Sequence, residues 1–79
     1  MLYLKIITPE RLLFEGEIKI IKLPGSMGSF EIMENHASII STLIKGKIMV
    51  KDTIGVISYF EIKGGLAEVS NNEVKVLVE

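Results

Sequence analysis

Apolar residues recur at every second position in segment after segment of this chain, and that spacing constrains its fold more than any other feature. Leu2, Leu4 and Ile6, then Ile18 and Ile20, then Val56, Phe60 and Ile62 follow the two-residue period of a strand with one face in a core; so do Val74, Val76 and Val78 against Glu73, Lys75 and Glu79. The residue types agree with the period. The chain holds 13 Ile and 6 Val but only two Ala, and β-branched side chains are restricted in a helix while packing well on a pleated surface. Turn signals separate the runs: Pro9-Glu10, Gly16, Pro24-Gly25-Ser26-Met27-Gly28, Lys45-Gly46, Asp52-Thr53-Ile54-Gly55, Gly64-Gly65 and Asn71-Asn72. Nine or ten short strands with no convincing helix predict an all-β, antiparallel sandwich or flattened barrel, and 79 residues leave room for a single domain spanning 1–79.

Local chemistry sharpens this pattern at four places. Asn71-Asn72 suits a type I′ hairpin, because Asn tolerates the positive φ that both central residues require. Gly64-Gly65 fits a corner where the backbone needs positive φ or a close approach. At Ile20-Ile21 the apolar set moves from even to odd positions, which marks a bulge or a strand passing between sheets. Ile39, Ile40, Leu43, Ile44 and Ile48 fit a helical template as well, but three Ile within Ser38 to Ile44 and the break at Gly46 favour a strand. That strand is apolar on both faces, so it is either central in a two-layer core or covered by another chain.

The apolar share, 48% of residues, is high for so short a chain, and with a net charge of −1 it is the reverse of a disordered composition. The longest unbroken apolar run is Met1 to Leu4, far below the roughly 20 residues of a membrane-spanning helix. Lys5 interrupts that opening run and no small-residue cleavage site follows, so an uncleaved, intracellular chain is expected. Without Cys there are no disulfides, and packing must supply the stability, either alone or with a partner covering part of the apolar surface. Nine Lys and Arg against ten Asp and Glu, spread without runs, give no footprint for nucleic acid.

Catalytic groups are scarce. There is one His (His36) and one Asp (Asp52), and no motif flags a nucleophilic Ser. Nine Glu on alternating strand positions read as solvated residues, and one His among them is a weak metal donor set. Pro24-Gly25-Ser26-Met27-Gly28 lacks the Gly-Lys-Ser/Thr ending of a phosphate loop and reads as a turn. Five aromatics (Tyr3, Phe14, Phe30, Tyr59, Phe60) make no stacking platform for single-stranded nucleic acid. The residues point to a binding or structural module with no cofactor, and a free-standing β-barrel that binds a small ligand or peptide stays open.

In order, Phe14-Glu15-Gly16, Leu23 to Ile32, Asn35-His36-Ala37-Ser38-Ile39-Ile40-Ser41-Thr42-Leu43, Gly46, Ile62-Lys63-Gly64-Gly65-Leu66-Ala67-Glu68-Val69 and Val74-Lys75-Val76-Leu77 resemble the epsilon subunit of F-type ATP synthases over nearly the whole chain. The resemblance implies a ten-stranded β-sandwich at the foot of the central stalk, binding the gamma subunit and the ring of c subunits and turning with them, without an active site of its own. It implies a peripheral position on the cytoplasmic face of the cell membrane, in a bacterium. By position in the family, Ser26, Met27, Gly28, Ser29 and Phe30 would meet the c ring, and His36, Ala37, Ser38, Ile39 and Ser41 would meet gamma. An exposed apolar patch around Met27, Phe30 and Ile39 is expected. Glu31 stands where Gly is usual in the family, Glu34-Asn35 where Pro-Gly is common, and Ser38 where Pro follows His-Ala. Most members continue into a two-helix hairpin that inhibits hydrolysis. Nothing of it lies in these residues, so this chain is expected not to impose that inhibition.

Overall fold

A computed structural model describes residues 1–79 as eight strands: β1 (Leu2–Ile7), β2 (Leu12–Gly25), β3 (Gly28–Ile32), β4 (Ile39–Leu43), β5 (Gly46–Asp52), β6 (Ile57–Ile62), β7 (Gly65–Ser70) and β8 (Glu73–Val78). The all-β expectation holds, and Ile39 to Leu43 is a strand. The count is eight where ten were expected. The expected turn at Gly16 lies inside β2, where Gly16 pairs with Leu4 and the strand runs unbroken for 14 residues. Nor is every pair antiparallel. β1 and β8 run parallel, Leu4 beside Val74 and Ile6 beside Val76. Terminal strands are joined by the whole intervening chain rather than a hairpin, so no short turn dictates their relative direction.

The long β2 organises the sandwich. Its first half pairs with β1, which continues through β8 and β7 to β4. Its second half pairs with β3 along one edge and with β5, then β6, along the other. The change of sheet falls where Ile18 sits opposite Asp52 but Ile20 opposite Lys51, leaving one extra residue in β2. That bulge explains the switch of parity in the sequence: Ile18 faces the core before it, Ile21 and Leu23 after it. At its far end β2 meets β4 through Gly25 and Leu43, so a single strand borders both sheets.

Sixteen buried apolar residues fill the space between the layers, among them Leu2, Leu4, Ile6, Ile21, Leu23, Ile32, Ile48, Val50 and Val76, and no polar side chain is buried with them. Burying one such side chain contributes about 2 kcal/mol, and this core is the main source of stability in a chain without staples. The first half of β2 and β6 do not pair. Across that seam the Phe14 and Phe60 rings meet edge to face, centroids 6.0 Å apart, and pack on the core.

The hairpins place the loops at two ends. Thr8 to Arg11, Ser26-Met27, Ile44-Lys45 and Lys63-Gly64 gather at one, with the last residue, Glu79, whose N–H donates to Gly64 O. Met1, residues 33–38, the β5–β6 turn and Asn71-Asn72 lie at the other. Asn71 and Asn72 have φ of 51° and 61°, as the type I′ reading required. Gly65 answers a close approach rather than a positive φ: a Cβ there would sit 2.2 Å from the Leu77 carbonyl oxygen.

Candidate protein-contact surfaces

The first candidate surface is the β2–β3 turn. Gly25 pairs with Gly28, leaving Ser26 and Met27 as the turn residues. A Cβ on Gly25 would lie 2.6 Å from Gly28 O and 2.7 Å from the Phe30 ring, so only glycine lets the chain fold back over that ring. Backbone bonds tie the turn to β4: Ser26 N–H donates to Thr42 O and Ile44 N–H donates to Pro24 O, each at 2.9 Å. The hydroxyls of Ser26 and Thr42 share a 2.6 Å bond. Met27 stands at the tip, 98% exposed, beside exposed Ser26, Gly28 and Ser29. Phe30 does not join that exposed patch. Its ring is half-buried against the core and serves as the floor of the turn.

The second surface is the segment from Met33 to Ser38, which leaves β3 after buried Ile32 and is exposed throughout. One backbone bond closes it, His36 N–H to Met33 O at 3.2 Å, with Asn35 at φ 66°. Asn35 therefore does what a glycine would do in that turn, at the small cost Asn tolerates in the left-handed region. Side chains hold the rest. Asn35 N–H donates to Asn72 Oδ1 at 2.6 Å, Asn72 Nδ2 donates to Asn35 Oδ1 at 3.2 Å, and the Met1 ammonium pairs with Glu34. His36 Nδ1 lies 2.8 Å from Ala37 O.

The structure divides the residues assigned to this second surface. His36, Ala37 and Ser38 are exposed, whereas Ile39 and Ser41 share the inward parity of β4 with buried Leu43 and are half-buried. The outward positions are Ile40, 68% exposed, and Thr42, with Ile44 exposed just beyond the strand. Leu66 and Leu77 extend this apolar face, because Thr42 pairs with Leu66 and Leu66 with Leu77. Sequence reasoning missed both, although the parity of each was visible: Leu77 takes the place of a polar residue in the series Glu73, Lys75, Leu77, Glu79. Ser38, Ile39 and Ile40 also line an open depression of about 430 Å³ against Glu68, Val69 and Ser70. The two surfaces lie at opposite ends of β4, roughly 13 Å apart at about 3.3 Å per strand residue.

The scarce catalytic groups are locally engaged. Asp52 Oδ1 accepts from Ile54 N–H at 3.0 Å and Val56 N–H at 2.9 Å, closing the β5–β6 turn. No three His, Asp or Glu side chains come together as a metal site. A groove of about 360 Å³ on the outer face of β1, β8 and β7 is lined chiefly by polar side chains, including Tyr3, Lys5, Glu15, Glu68 and Glu73. There Tyr3 donates its hydroxyl to Glu15 at 2.5 Å, and this bond, helped by the carboxylate charges of Glu15 and Glu17, raises the phenol above its ordinary 10.0.

The fold is thus an all-β sandwich with a filled apolar interior and a candidate contact surface at each end. The chain belongs to the family of ATP synthase delta/epsilon chain beta-sandwich domains, whose model matches residues 1–79. It is 38% identical over 78 residues to the ATP synthase epsilon chain of Caulobacter vibrioides, covering 99% of this chain and 90% of that one. It is also 38% identical over 76 residues to the epsilon chain of Syntrophomonas wolfei, covering 96% of this chain but 56% of that longer one. Among solved structures it resembles a chain of the Euglena gracilis mitochondrial ATP synthase, described as OSCP, F1 and c-ring, with a TM-score of 0.91 at 19% identity, covering 98% of this chain and 49% of that one. At that identity the likeness is one of fold.

Proposed function

We propose that this chain is the sandwich part of a central-stalk subunit of a proton-transporting F-type ATP synthase. It couples the gamma subunit to the c ring as the rotor turns and has no active site of its own. The family match over residues 1–79 carries the reading, and the geometry supports it with two separate exposed surfaces. In this reading the Met27 turn meets the c ring, through Ser26, Met27, Gly28 and Ser29 above the Phe30 floor. His36, Ala37 and Ser38 meet gamma, with Ile39 and Ser41 supporting them from the core side and Ile40 adding apolar contact. The domain lies on the cytoplasmic face of the membrane and touches it only through the complex.

The mechanism asks for stiffness, since a part that opens locally under torque transmits less of it. Forty of the 48 backbone hydrogen bonds lie within the strands, and ladders of that kind belong to the last regions of a protein to open. The competing reading, a barrel that binds a small ligand, calls for an enclosed apolar cavity. The polar groove is instead an outer-face feature lined chiefly by charged residues, and the depression beside Ile39 is open. Affinity purification from the source cell, with partners identified by mass, decides between them. Recovery of gamma and c subunits supports the rotor reading, and their absence from an otherwise intact preparation overturns it.

A further inference from the structure

The His36 segment has no anchor of its own between Ile32 and Ile39: every side chain from Met33 to Ser38 is exposed, and the sole backbone bond within it spans three residues. Besides the exposed pair of the Met1 ammonium with Glu34, what fixes its position comes from the β7–β8 turn, 37 residues further along the chain. Asn72 presents both ends of its amide to Asn35, the oxygen accepting from the backbone N–H and the nitrogen donating to the side-chain oxygen. Both residues sit at positive φ, 66° at Asn35 and 61° at Asn72. The Asn72 carbonyl in turn accepts from Tyr3 N–H at 2.9 Å, so the turn that carries the clasp is joined to β1.

From this geometry we infer that Asn72 is a positioning residue for partner binding: its amide clasps Asn35 and so holds the His36-Ala37-Ser38 segment in the shape that docks on gamma. The inference rests on the proposed gamma contact. Its physical basis is pre-organisation, since a loop already held in its bound shape loses less conformational freedom on docking. Asn72 itself touches no partner in this account. Its two hydrogen bonds are exposed and add little to global stability, yet they act on the segment whose order limits the affinity.

Two substitutions separate this from a merely structural role. Asn72→Gly keeps the backbone conformation, which glycine adopts freely, and removes the clasp. Asn72→Asp keeps an oxygen for the Asn35 N–H and tolerates the same φ. Amide hydrogen exchange should show Asn35 and His36 losing protection in the Gly variant and keeping it in the Asp variant, with unchanged thermal midpoints in both. Calorimetric titration with gamma should show binding weakened roughly three- to tenfold by Asn72→Gly, the factor expected for one or two net hydrogen bonds, and restored largely by Asn72→Asp. Unchanged protection at Asn35 and His36 in the Gly variant overturns the clasp. Lost protection with undiminished gamma affinity leaves the clasp intact as a loop-ordering device and overturns the gamma contact on which the inference depends.

Discussion

The two candidate contact surfaces are built by different means, though each is a short exposed segment between strands. The Met27 turn is held by main-chain atoms: the Gly25–Gly28 pair, the bond from Ser26 N–H to Thr42 O, the bond from Ile44 N–H to Pro24 O, and a Phe30 ring wedged beneath. The His36 segment has one internal backbone bond and is otherwise held by side chains, Asn35 to Asn72 and the Met1 ammonium to Glu34. A surface fixed by sheet register cannot move without breaking the sheet, whereas one fixed by exposed side chains can loosen while the sandwich stays folded. The stiff end is the one proposed to meet the c ring. The adaptable end is proposed to meet gamma.

The largest effects that test this difference lie at the stiff end. Gly65 pairs with Leu43, next to the Gly25 contact, and a Cβ there would stand 2.2 Å from a backbone carbonyl that cannot step aside alone. Gly65→Ala is expected to cost about 3 kcal/mol or more, the upper range for overpacking, with the whole sandwich losing stability together in a urea titration. A loss below about 0.5 kcal/mol would mean that the strand ends give more readily than register-fixed backbone should.

A smaller effect is expected at the adaptable end, and it should depend on which atom is removed. Asn35→Ala loses the side-chain half of the clasp and places a Cβ-bearing residue without a compensating amide at φ 66°. It should cost about 1–2 kcal/mol. Asn35→Gly loses only the side-chain half of the clasp and relieves the backbone, so its stability should stay within about 0.5 kcal/mol of the parent. Equal costs for the two variants, measured by the same urea titration, would show that φ at Asn35 does not govern this turn.

What could be read in the sequence follows the same division. Main-chain features with a local cause were legible: the Asn71-Asn72 hairpin, the tight approach at Gly65, the strand at Ile39 to Leu43, and the parity switch near Ile20 that becomes the β2 bulge. The strand count was not, because Gly16 looks like a turn residue in one dimension and lies inside a paired strand in three. The parallel pairing of β1 with β8 and the Asn35–Asn72 clasp were also out of reach, since each joins residues far apart in the chain through contacts that no local period encodes. Phe30 and Ile39 were expected on the apolar surface because the family resemblance places them at partner contacts. Parity turns them inward, and Ile40, Leu66 and Leu77 take the outward places.

Binding should separate the two ends where stability does not. Met27 and His36 are both exposed and make no contact with the core, so Met27→Glu and His36→Ala should each change stability by less than about 0.5 kcal/mol. Met27→Glu is expected to weaken association with the c ring and leave gamma affinity unchanged, and His36→Ala to do the reverse, each by roughly tenfold or less. Binding measured separately to gamma and to detergent-solubilised c ring checks this. If both substitutions weaken the same partner, the two ends do not serve two partners.

The smallest expected effect concerns pH. The Met27 turn has no titrating group among its ties, while the face running up to Asn72 includes Tyr3, whose phenol donates to Glu15 and whose backbone N–H donates to the Asn72 carbonyl. The hydrogen bond to Glu15 comes first among the causes that hold the phenol protonated beyond its ordinary 10.0. A group whose folded value lies above its unfolded value stabilises the fold below the unfolded value, and that contribution disappears as pH rises through the folded one. Alkaline solution should therefore loosen the fold slightly above pH 10.0, by an amount that solvent screening of this exposed pair keeps small. Glu15→Gln takes away the negative charge while leaving an oxygen to accept the bond, so it should lower the ionisation of Tyr3 toward 10.0. Followed by phenolate absorbance in a Tyr59→Phe background, an unchanged Tyr3 titration in the Glu15→Gln variant would remove Glu15 as the cause and leave this face as insensitive to alkali as the Met27 turn.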